Sequence, residues 1–454
     1  MLERGRGIIL SQLFDDRSDI ALLKAADLEP RIKYDSLRLE VDAPIEHLED
    51  PFIRDVAIER RRKADDLNQC VLDMERIPEF RQAQQGPTEK QMQDCAAQGC
   101  IIVVNITALR SDAIVVFSEG FRAISLPGLH SGDVPVGPWV GNSRDMESES
   151  HSSYSSNRLS WLWVKCVKPI LDELEMSRIL PAGPLSRVWW IGTGNAYSFP
   201  FHSAVDFSST SENTLSRVIS SYTPTIKALA YSMSSAKKHI QNTKEAKPSV
   251  LMATMPTTPG QKALPGVIRE KRAVEECCRG VYTFKALEEE TAGRILREIP
   301  VFDILHCACH GSCDPHKPLE SHLLFQKIGP LGPVLDRLTV SSILNMTTLG
   351  RAWIAYISAC SAAEVKAQEL ADEGLHIVSA FQVAGFAHVI GSLWSVDDDV
   401  CVDLAEVFYE RLISSDDQRS ISSVAAAFHA AVLHIRSKYA YDPLKWAAYI
   451  HSGA

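Results

Sequence analysis

Apolar runs alternate with segments of helical periodicity from residue 249 onwards, and this alternation constrains the fold most strongly. The runs are SVLMATM, VYTFK, FDILHCACH, WIAYISAC and HVIGSLW. The segments between and after them, around VIREKRAVEECC, EEETAGRILREI, LHIVSAFQVAGF and VCVDLAEVFYERLI, predict helices. Because the runs are apolar throughout rather than at every second residue, they predict strands buried on both faces. The expected fold is therefore α/β, with a parallel sheet covered by helices on both sides.

The chain before residue 249 divides into two segments of different character. Residues 1–95 carry apolar residues at spacings of three and four and have no glycine between Gly7 and Gly86, which predicts helices. No clean internal repeat is evident, so this segment is at most the end of a helical-repeat array. From Cys100 the pattern predicts strands at CIIVVNIT, DAIVVF and RVWWIGTG, with a helix at WLWVKCVKPILDELEM before the third.

Two polar stretches predict exposed loops. Residues 141–160 are rich in serine and glutamate and lack apolar periodicity. Residues 313–333 follow the run FDILHCACH and contain four prolines. If the protein cleaves itself, these are the two places where we expect the cut.

Composition and charge exclude several classes of protein. The 454 residues suffice for two or three domains, and the net charge of -10 argues against a nucleic-acid partner. No apolar run approaches about 18 residues, so we expect neither a transmembrane helix nor a membrane partner. The first residues lack the pattern of a signal peptide. The 11 cysteines show no framework spacing, which predicts reduced thiols and a cytoplasmic location.

Two of the predicted strands end in residues that can take part in catalysis. One ends at His310, directly before Gly311, and the next long one ends at Cys360. In an open parallel sheet, chemistry lies beyond the carboxyl ends of the strands. If these two strands are neighbours, His310 and Cys360 emerge at the same edge. Their separation of 50 residues resembles the spacing between histidine and cysteine in caspases, although SAC replaces the caspase QAC signature.

These residue types meet the demands of nucleophilic catalysis. A thiol becomes a good nucleophile when it loses its proton, and a neighbouring imidazole can accept that proton. The same imidazole can later protonate the leaving amine. Gly311 lets the backbone turn sharply beside a substrate. The backbone amides of Gly311 and Cys360 are candidate donors to the developing oxyanion.

Two other interpretations of these residues stay open at this point. A single cysteine or histidine at a strand end usually packs in the core, and only the pair, with the glycine and the spacing, favours a dyad. A zinc site could use Cys307, Cys309, His310 and Cys313. Strand alternation instead places Cys307 and Cys309 on the face opposite His306 and His310, so we expect inert cysteines and no metal.

Five motifs occur in an order that resembles the CHAT domain: RVWWIGTGNAYSFPFHSAV, SSYTPTIKAL, DILHCACHG, WIAYISAC and HIVSAFQVAGFAHVIGSLWSVDDD. That domain is a caspase-like module often found behind tetratricopeptide repeats and related to separases and clan CD cysteine peptidases. The resemblance covers about residues 95–454. It implies a caspase-like α/β/α sandwich with a degenerate half at 96–225 and an active half at 226–454, after the helical segment 1–95.

The resemblance also implies a function. The family's catalytic histidine falls on His310 and its cysteine on Cys360, which implies a cysteine endopeptidase that cleaves protein substrates through a thioester and needs no cofactor. A protein partner acting through the N-terminal helical region is the expected activator. A catalytically silent signalling or scaffold module of the same fold is the alternative, and acyl transfer on a non-peptide substrate is a weaker one.

Several residues are weaker candidates for substrate binding. Ser358, two positions before the nucleophile, is uncharged, so the preferred residue before the cut (P1) is left open. A basic P1 residue would need an acid, and the candidates are Asp314, Asp372 and Glu373. Further candidates near the cleft, each with a structural alternative, are Trp394 (core packing), Asp397 to Asp399 (capping of the next helix) and His202 (loop ordering).

Overall fold

The computed structural model describes residues 87–454, except for gaps at 136–138, 140–147, 181–182, 210, 244–245, 347–350, 365–373 and 416–419. Before residue 87 it describes only residues 10, 13–14, 61–63, 65–66 and 69–70. Most of the predicted helical segment 1–95 therefore lies outside the described residues. Residues 11–87 form one compact unit, and residues 1–10 with 88–454 form a second, which carries the sheet.

The second unit contains an 11-stranded sheet and a separate three-stranded sheet. The strands are β1 (Cys100–Ile106), β2 (Ser111–Phe117), β3 (Gly120–Ser125), β4 (Ser186–Gly192), β5 (Val218–Tyr222), β6 (Ser249–Thr254), β7 (Thr283–Glu288), β8 (Ile304–Ala308), β9 (Gly311–Ser312), β10 (His322–Gly329), β11 (Gly332–Thr339), β12 (Ile354–Ser358), β13 (His388–Ser392) and β14 (Tyr449–Gly453). The large sheet has the order β3-β2-β1-β4-β5-β14-β13-β12-β8-β6-β7, and the small one has the order β11-β10-β9. In the large sheet β2 pairs antiparallel with β1 and β3, and β14 pairs antiparallel with β13; the other pairs are parallel. The predicted α/β class with a mostly parallel sheet is confirmed.

Helices surround the large sheet. They are α1 (Glu89–Cys95), α2 (Ser148–Leu162), α3 (Lys168–Met176), α4 (Thr214–Arg217), α5 (Ile226–Asn242), α6 (Gly266–Cys278), α7 (Ala292–Glu298), α8 (Val340–Leu344), α9 (Ile377–Val383), α10 (Asp398–Ile413), α11 (Ile421–Lys438) and α12 (Pro443–Trp446). A π-helical turn, Trp163–Val167, joins α2 to α3. No helix in the described part of the chain is long and apolar enough to cross a bilayer.

Burial on both faces of the sheet is clear in β1. Ile102 and Val104 belong to a core cluster that includes residues of α2 and α3. Their neighbours Ile101 and Val103 belong to a different cluster, with residues of α1 and α5. Successive side chains of a strand point to opposite faces, so an entirely apolar strand fills a core on each side.

Strand β14 lies between the two predicted halves, because it pairs with β5 on one side and with β13 on the other. Its residue Gly453 has φ +110°, and a Cβ there would collide with the carbonyl of Ala387. Arg187 of β4 donates hydrogen bonds to Ser221 Oγ of β5 (2.9 Å) and to the Ala454 carbonyl (2.6 Å). Burial lowers the pKa of Arg187 to about 9. The proposed boundary at 225/226 falls between β5 and α5, although both sides contribute to one sheet.

The predicted loop at 141–160 is wrong for its described part, because residues 148–160 belong to α2. Leu159 and Leu162 near the end of α2, with Cys166 of the π-helical turn, are fully or almost fully buried. Burial of these side chains at helical spacing stabilises the helix in spite of its polar sequence. Residues 141–147 lie outside the described part of the chain.

The predicted loop at 313–333 is wrong from His322 onwards, where the chain forms β10 and begins β11 of the small sheet. β10 and β11 pair antiparallel, with Gly329 opposite Gly332 at the turn. Leu323 and Phe325, on the same face of β10, are fully buried. The composition suggested a loop because of its four prolines, but two of them precede β10, one lies in the turn and one lies near the start of β11.

Candidate active site

The two strands that carry the predicted dyad are neighbours in the sheet. β12 pairs in parallel with β8, from Ile354 opposite Ile304 to Ser358 opposite Ala308. The offset of 50 residues continues past the strands, where the Cys309 amide donates to the Ser358 carbonyl at 3.3 Å. His310 and Cys360 therefore follow adjacent strand ends at the same edge, as the sequence pattern predicts.

The backbones after these strands approach each other closely at Gly311. A Cβ on Gly311 would lie 2.5 Å from the Cys360 carbonyl oxygen and 3.3 Å from Ala359 Cβ. A real Cβ does not come so close to a carbonyl oxygen, so any side chain at this position would force the two chain segments apart. The glycine is therefore required for the close approach of the two segments.

The His310 ring is held by a backbone group. Its Nε2 lies 2.7 Å from the Lys262 carbonyl oxygen, in the loop between β6 and α6. A carbonyl only accepts hydrogen bonds, so Nε2 carries a hydrogen and the neutral ring keeps its lone pair on Nδ1. The residue is half-buried at the edge of the sheet.

The Cys360 thiol contacts a different partner. Its Sγ lies 3.0 Å from the hydroxyl oxygen of Ser395, an exposed residue in the loop after β13. Ser361, directly after the cysteine, has φ +59°, in the left-handed region that a serine rarely adopts. The chain thus turns sharply after the thiol. Within the described residues, no hydrogen bond joins the His310 ring to the Cys360 thiol.

A narrow pocket opens beside Cys360. Its empty volume is about 380 Å³ including the open mouth. Three elements supply most of the lining: the start of α6 with the loop before it, the end of β12, and the loop after β13. The lining includes Leu264, Val267, Glu270, Ser358, Cys360 and Val396.

Glu270 is a buried acid in the lining of this pocket. Only 2% of the residue is exposed, and its Oε1 lies 2.9 Å from His306 Nε2. The other ring nitrogen, His306 Nδ1, lies 3.3 Å from the Tyr409 hydroxyl, and the ring stacks on Tyr356 with centroids 4.5 Å apart. Sequence reasoning missed Glu270. The available signal was its position between Val267 and Val274, on the apolar face of α6.

The other cysteines of this region are buried thiols. Burial raises the pKa of Cys307 to about 12 and that of Cys309 well above its usual value. Cys309 nevertheless lines the pocket beside Cys360, so the prediction that it faces away from the active edge is wrong. The strand has ended at Ala308, so strict alternation no longer applies at Cys309. Among the described residues, no group of three or more His, Cys, Asp or Glu is arranged to hold a metal ion.

The weaker candidates lie in different places. Ser358 is the last residue of β12 and lines the pocket. Trp394 packs against the core, and its Nε1 donates to the Leu444 carbonyl at 3.0 Å. Asp397 directly precedes α10 and lies 3.6 Å from Lys445 Nζ. Of these three predicted residues, the structure places only Ser358 in the lining of the pocket.

Asp314, one of the acids that the sequence suggests, does not line the pocket. The Asp314 carboxylate accepts hydrogen bonds from the amides of His316 (2.9 Å) and Lys317 (2.8 Å), which lower its pKa. Asp314 thus stabilises a turn. Asp372 and Glu373 lie outside the described residues.

His202 lies in the other half of the sheet. Its Nδ1 is 2.8 Å from the Tyr222 hydroxyl, and 3% of the residue is exposed. Burial lowers the pKa of His202 to about 3. The geometry agrees with the structural role that the sequence favours.

The mostly parallel sheet, with helices on both faces, is the architecture of a caspase-like α/β protein. The family model for the CHAT domain matches residues 156–454, and the chain therefore belongs to the CHAT domain family. The predicted resemblance is thereby confirmed over most of its extent.

Solved structures are similar to this chain. The separase–securin complex of Saccharomyces cerevisiae aligns with a TM-score of 0.50 and 11% identity, over 98% of this chain and 37% of that chain. The complex of the Porphyromonas gingivalis RgpB pro- and mature domains aligns with a TM-score of 0.44 and 11% identity, over 67% of this chain and 76% of that chain. Among curated proteins, none matches this sequence. At this level of identity the likeness concerns the fold alone.

Proposed function

We propose that the protein is a cysteine endopeptidase, with Cys360 as the nucleophile and His310 as general base and acid. The observation that carries the proposal is the register of β8 and β12, which puts both residues after adjacent strand ends, with the His310 ring held by the Lys262 carbonyl. A base oriented by a third group beside a nucleophile is the general arrangement of nucleophilic catalysis.

In the proposed reaction, His310 Nδ1 takes the proton of the Cys360 thiol, and the sulfur attacks the scissile carbonyl. The resulting oxyanion collapses to a thioester while His310 returns the proton to the leaving amine. Water, deprotonated by the same ring, then hydrolyses the thioester. The Lys262 carbonyl contributes by fixing the ring orientation and by stabilising the imidazolium that forms during each step.

The amides of Gly311 and Cys360 are the proposed donors to the oxyanion. The close approach of Gly311 to the Cys360 carbonyl supports this assignment, because it brings the two backbone segments to one place. One such donor is typically worth about 2.7–4 kcal/mol of transition-state stabilisation.

The contact between Cys360 and Ser395 supports a resting state in which the dyad is not engaged. For catalysis the sulfur must leave the Ser395 hydroxyl and approach His310 Nδ1. Hydrogen bonds of catalytic groups often form only when the substrate is bound. We propose that a protein partner acting through the N-terminal helical region favours this change, and that the enzyme works in the cytoplasm, where its free cysteines stay reduced.

The same contact favours one alternative, a catalytically silent signalling or scaffold module. In that case the thiol would stay with Ser395 in the presence of any partner. Acyl transfer to or from a non-peptide substrate would use the same groups as the peptidase, and only the substrate distinguishes the two reactions.

A proteome digest tests the proposal. Cell lysate is incubated with the protein, with Cys360→Ala and with His310→Ala, and new protein N-termini are identified by mass spectrometry. Cys277→Ala is the matched control, because Cys277 is a half-buried thiol outside the pocket. We expect cleavage by the wild type and the control and none by the two dyad variants. Cleavage that persists in Cys360→Ala, or is absent with any added lysate, contradicts a peptidase that uses this cysteine.

A further inference from the structure

We propose that Ser392 is a positioning residue for the oxyanion site: its hydroxyl holds the Ala359 carbonyl so that the amide of Cys360 points at the substrate oxygen. This inference rests on the proposed function, in which the Cys360 amide is an oxyanion donor, and it adds the group that orients that amide. The orienting group lies on β13, a different strand from the one that leads to the nucleophile.

The Ser392 hydroxyl makes a short hydrogen bond beside the nucleophile. Its Oγ donates to the Ala359 carbonyl at 2.7 Å, and only 1% of the residue is exposed. Because the donor is buried, water does not compete for it, and the bond fixes the direction of the carbonyl. Ser392 also belongs to the lining of the pocket beside Cys360.

The peptide bond between Ala359 and Cys360 transmits this direction. It is planar and trans, and in a trans peptide the carbonyl and the amide hydrogen point in opposite directions. In the sheet, β12 lies between β13 and β8. Ser392 holds the carbonyl on the β13 side, so the Cys360 amide points to the β8 side. His310 and Gly311 lie on that side, directly after β8.

The Cys360 amide is open to a ligand. Among the described residues, no backbone or side-chain group accepts a hydrogen bond from it. Backbone amides in a folded protein are strong donors that are nearly always paired, with protein or with water. An amide without a protein partner beside a nucleophilic sulfur is therefore suited to a substrate oxygen that gains negative charge.

Ser392 also holds the other end of the turn that carries the nucleophile. Its carbonyl accepts the Ala363 amide hydrogen at 2.8 Å. That bond joins two backbone groups, so it remains when the side chain of Ser392 is replaced. The bond to Ala359 depends on the hydroxyl. Removing the hydroxyl should therefore release the Ala359 carbonyl while the turn stays attached at Ala363.

The strand that carries Ser392 is a firm support. β13 pairs with β12 on one side and with β14 on the other, where Ser392 lies opposite Tyr449. The next residue, Leu393, donates its amide hydrogen to the Ala448 carbonyl at 2.8 Å. Groups on strands hold a site more precisely than groups on loops. Ser395, the partner of the thiol, lies by contrast in an exposed loop.

Two reagents that modify the same sulfur separate the amide from the thiol. With p-nitrophenyl acetate, the Cys360 sulfur attacks the ester carbonyl, an oxyanion forms, and its collapse gives a thioester and releases nitrophenolate. With iodoacetamide, the sulfur displaces iodide from a saturated carbon in one step, and no oxyanion forms. Both reactions need the thiolate, so the ratio of their rate constants reports the oxyanion site.

Both rates are measured at Cys360 by peptide mapping of the treated intact chain. We expect Ser392→Ala to slow acylation by about 10- to 100-fold, less than the 10²–10³-fold cost of removing an oxyanion donor, and to leave alkylation within about twofold. Ser392→Thr keeps a hydroxyl and should restore most of the acylation rate. Ser203→Ala is the matched control and should change neither rate, because Ser203 is equally buried and its Oγ donates to the Pro200 carbonyl at 2.8 Å in the other half.

Urea unfolding shows which variants are folded, and if threonine does not fit at position 392, the comparison of Ser392→Ala with Ser203→Ala decides. An unchanged ratio in Ser392→Ala overturns the proposal. So does an equal fall in both rates, since the hydroxyl would then serve the thiol or the fold. A wild-type ratio equal to that of the chain unfolded in urea also overturns it, because the folded site would then add no oxyanion stabilisation.

The peptidase proposal can fail separately. Acylation that depends on Ser392, without any cleavage in the proteome digest, would sink the peptidase and keep the role of Ser392. Proteome cleavage by the wild type that Ser392→Ala retains in full would keep the peptidase and sink the role of Ser392.

Discussion

Each half of the sheet places a histidine in the segment that follows a parallel strand, and the two histidines differ in every property that matters for catalysis. His202 follows β4, is almost fully buried, and has a pKa lowered to about 3 by that burial. His310 follows β8, is half-buried, and has its Nε2 bound by the Lys262 carbonyl. The segment after a strand thus holds a structural histidine in one half and a candidate base in the other.

The covering of the strand ends makes the difference. Beyond β4, Phe201 stacks on Trp190 with centroids 4.9 Å apart, and Phe199 packs edge-on against Trp139 at 5.0 Å. Beyond β8 and β12 the chain turns at Gly311 and Ser361, and a pocket remains open beside Cys360. Aromatic side chains fill the space beyond β4, whereas small residues beyond β8 and β12 leave a pocket open.

Replacing each histidine with alanine should separate the catalytic role of His310 from the structural role of His202. We expect His310→Ala to lower kcat/KM by about 10³-fold, the typical contribution of a general base, without a change in the free energy of unfolding. We expect His202→Ala to lower that free energy by about 1–3 kcal/mol and to leave the reaction unchanged, because the buried Tyr222 hydroxyl keeps the hydrogen bond from the backbone amide of residue 202 but loses its contact to the ring nitrogen. Peptide cleavage and urea unfolding measure the two effects. A catalytic defect in His202→Ala at full stability would contradict the distinction.

The close approach at Gly311 is the next feature to disturb. A methyl group there would meet the Cys360 carbonyl, so Gly311→Ala should move the two strand ends apart and misplace the dyad. A displacement of about 1 Å in an active site costs on the order of 100-fold in rate. Gly132→Ala, in the other half, is the control, because nothing lies within 4 Å of its added Cβ. Peptide cleavage by the two variants is compared at equal concentration; full activity of Gly311→Ala would show that the approach is not needed.

Acid should destabilise the folded protein through its buried histidines. Burial lowers the folded-state pKa of His202 to about 3 and that of His376 and His429 to about 4. In the unfolded chain these groups bind protons below about 6.5, so the unfolded state binds more protons as the pH falls. Stability is therefore fully present above about pH 6.5, and each group removes about 1.4 kcal/mol per pH unit below it until its folded pKa is reached.

Urea unfolding at pH 7, 6 and 5 measures this slope. His202→Phe should reduce the loss of stability between pH 6.5 and pH 5, since one of the titrating groups is gone. A slope for His202→Phe equal to that of the wild type would show that His202 takes no part in the acid response.

The main features of the sheet and the position of the dyad could be predicted because parallel pairing leaves little freedom. Strands that are apolar throughout must be buried, and neighbouring parallel strands must end at the same edge, so FDILHCACH and WIAYISAC bring His310 and Cys360 together. Strand β14 was not predicted. Its sequence YIHSG carries no pattern that distinguishes it, and tertiary contacts decide its place, parallel to β5 and antiparallel to β13.

The finer parts of the site could not be predicted, for a different reason in each case. The group that holds the His310 ring is a backbone carbonyl, which any residue at position 262 would supply. Ser395 and Glu270 reach Cys360 and the pocket from other elements, and a sequence does not specify how a helix is rotated against a sheet. A glutamate on the apolar face of an amphipathic helix was the one local sign of Glu270.

The central place of β14 also governs the order of events during synthesis. The ribosome delivers this strand after every other strand of the sheet. Until then β5 pairs only with β4, and β13 pairs only with β12. Before its arrival the nascent chain can form two separate sheets, one ending at β5 and the other at β13, each with an open edge. Pairing over such long sequence separations is slow, so these edges stay exposed for a time. A chaperone that shields them until residues 449–453 emerge would act on the molecule at its most vulnerable stage.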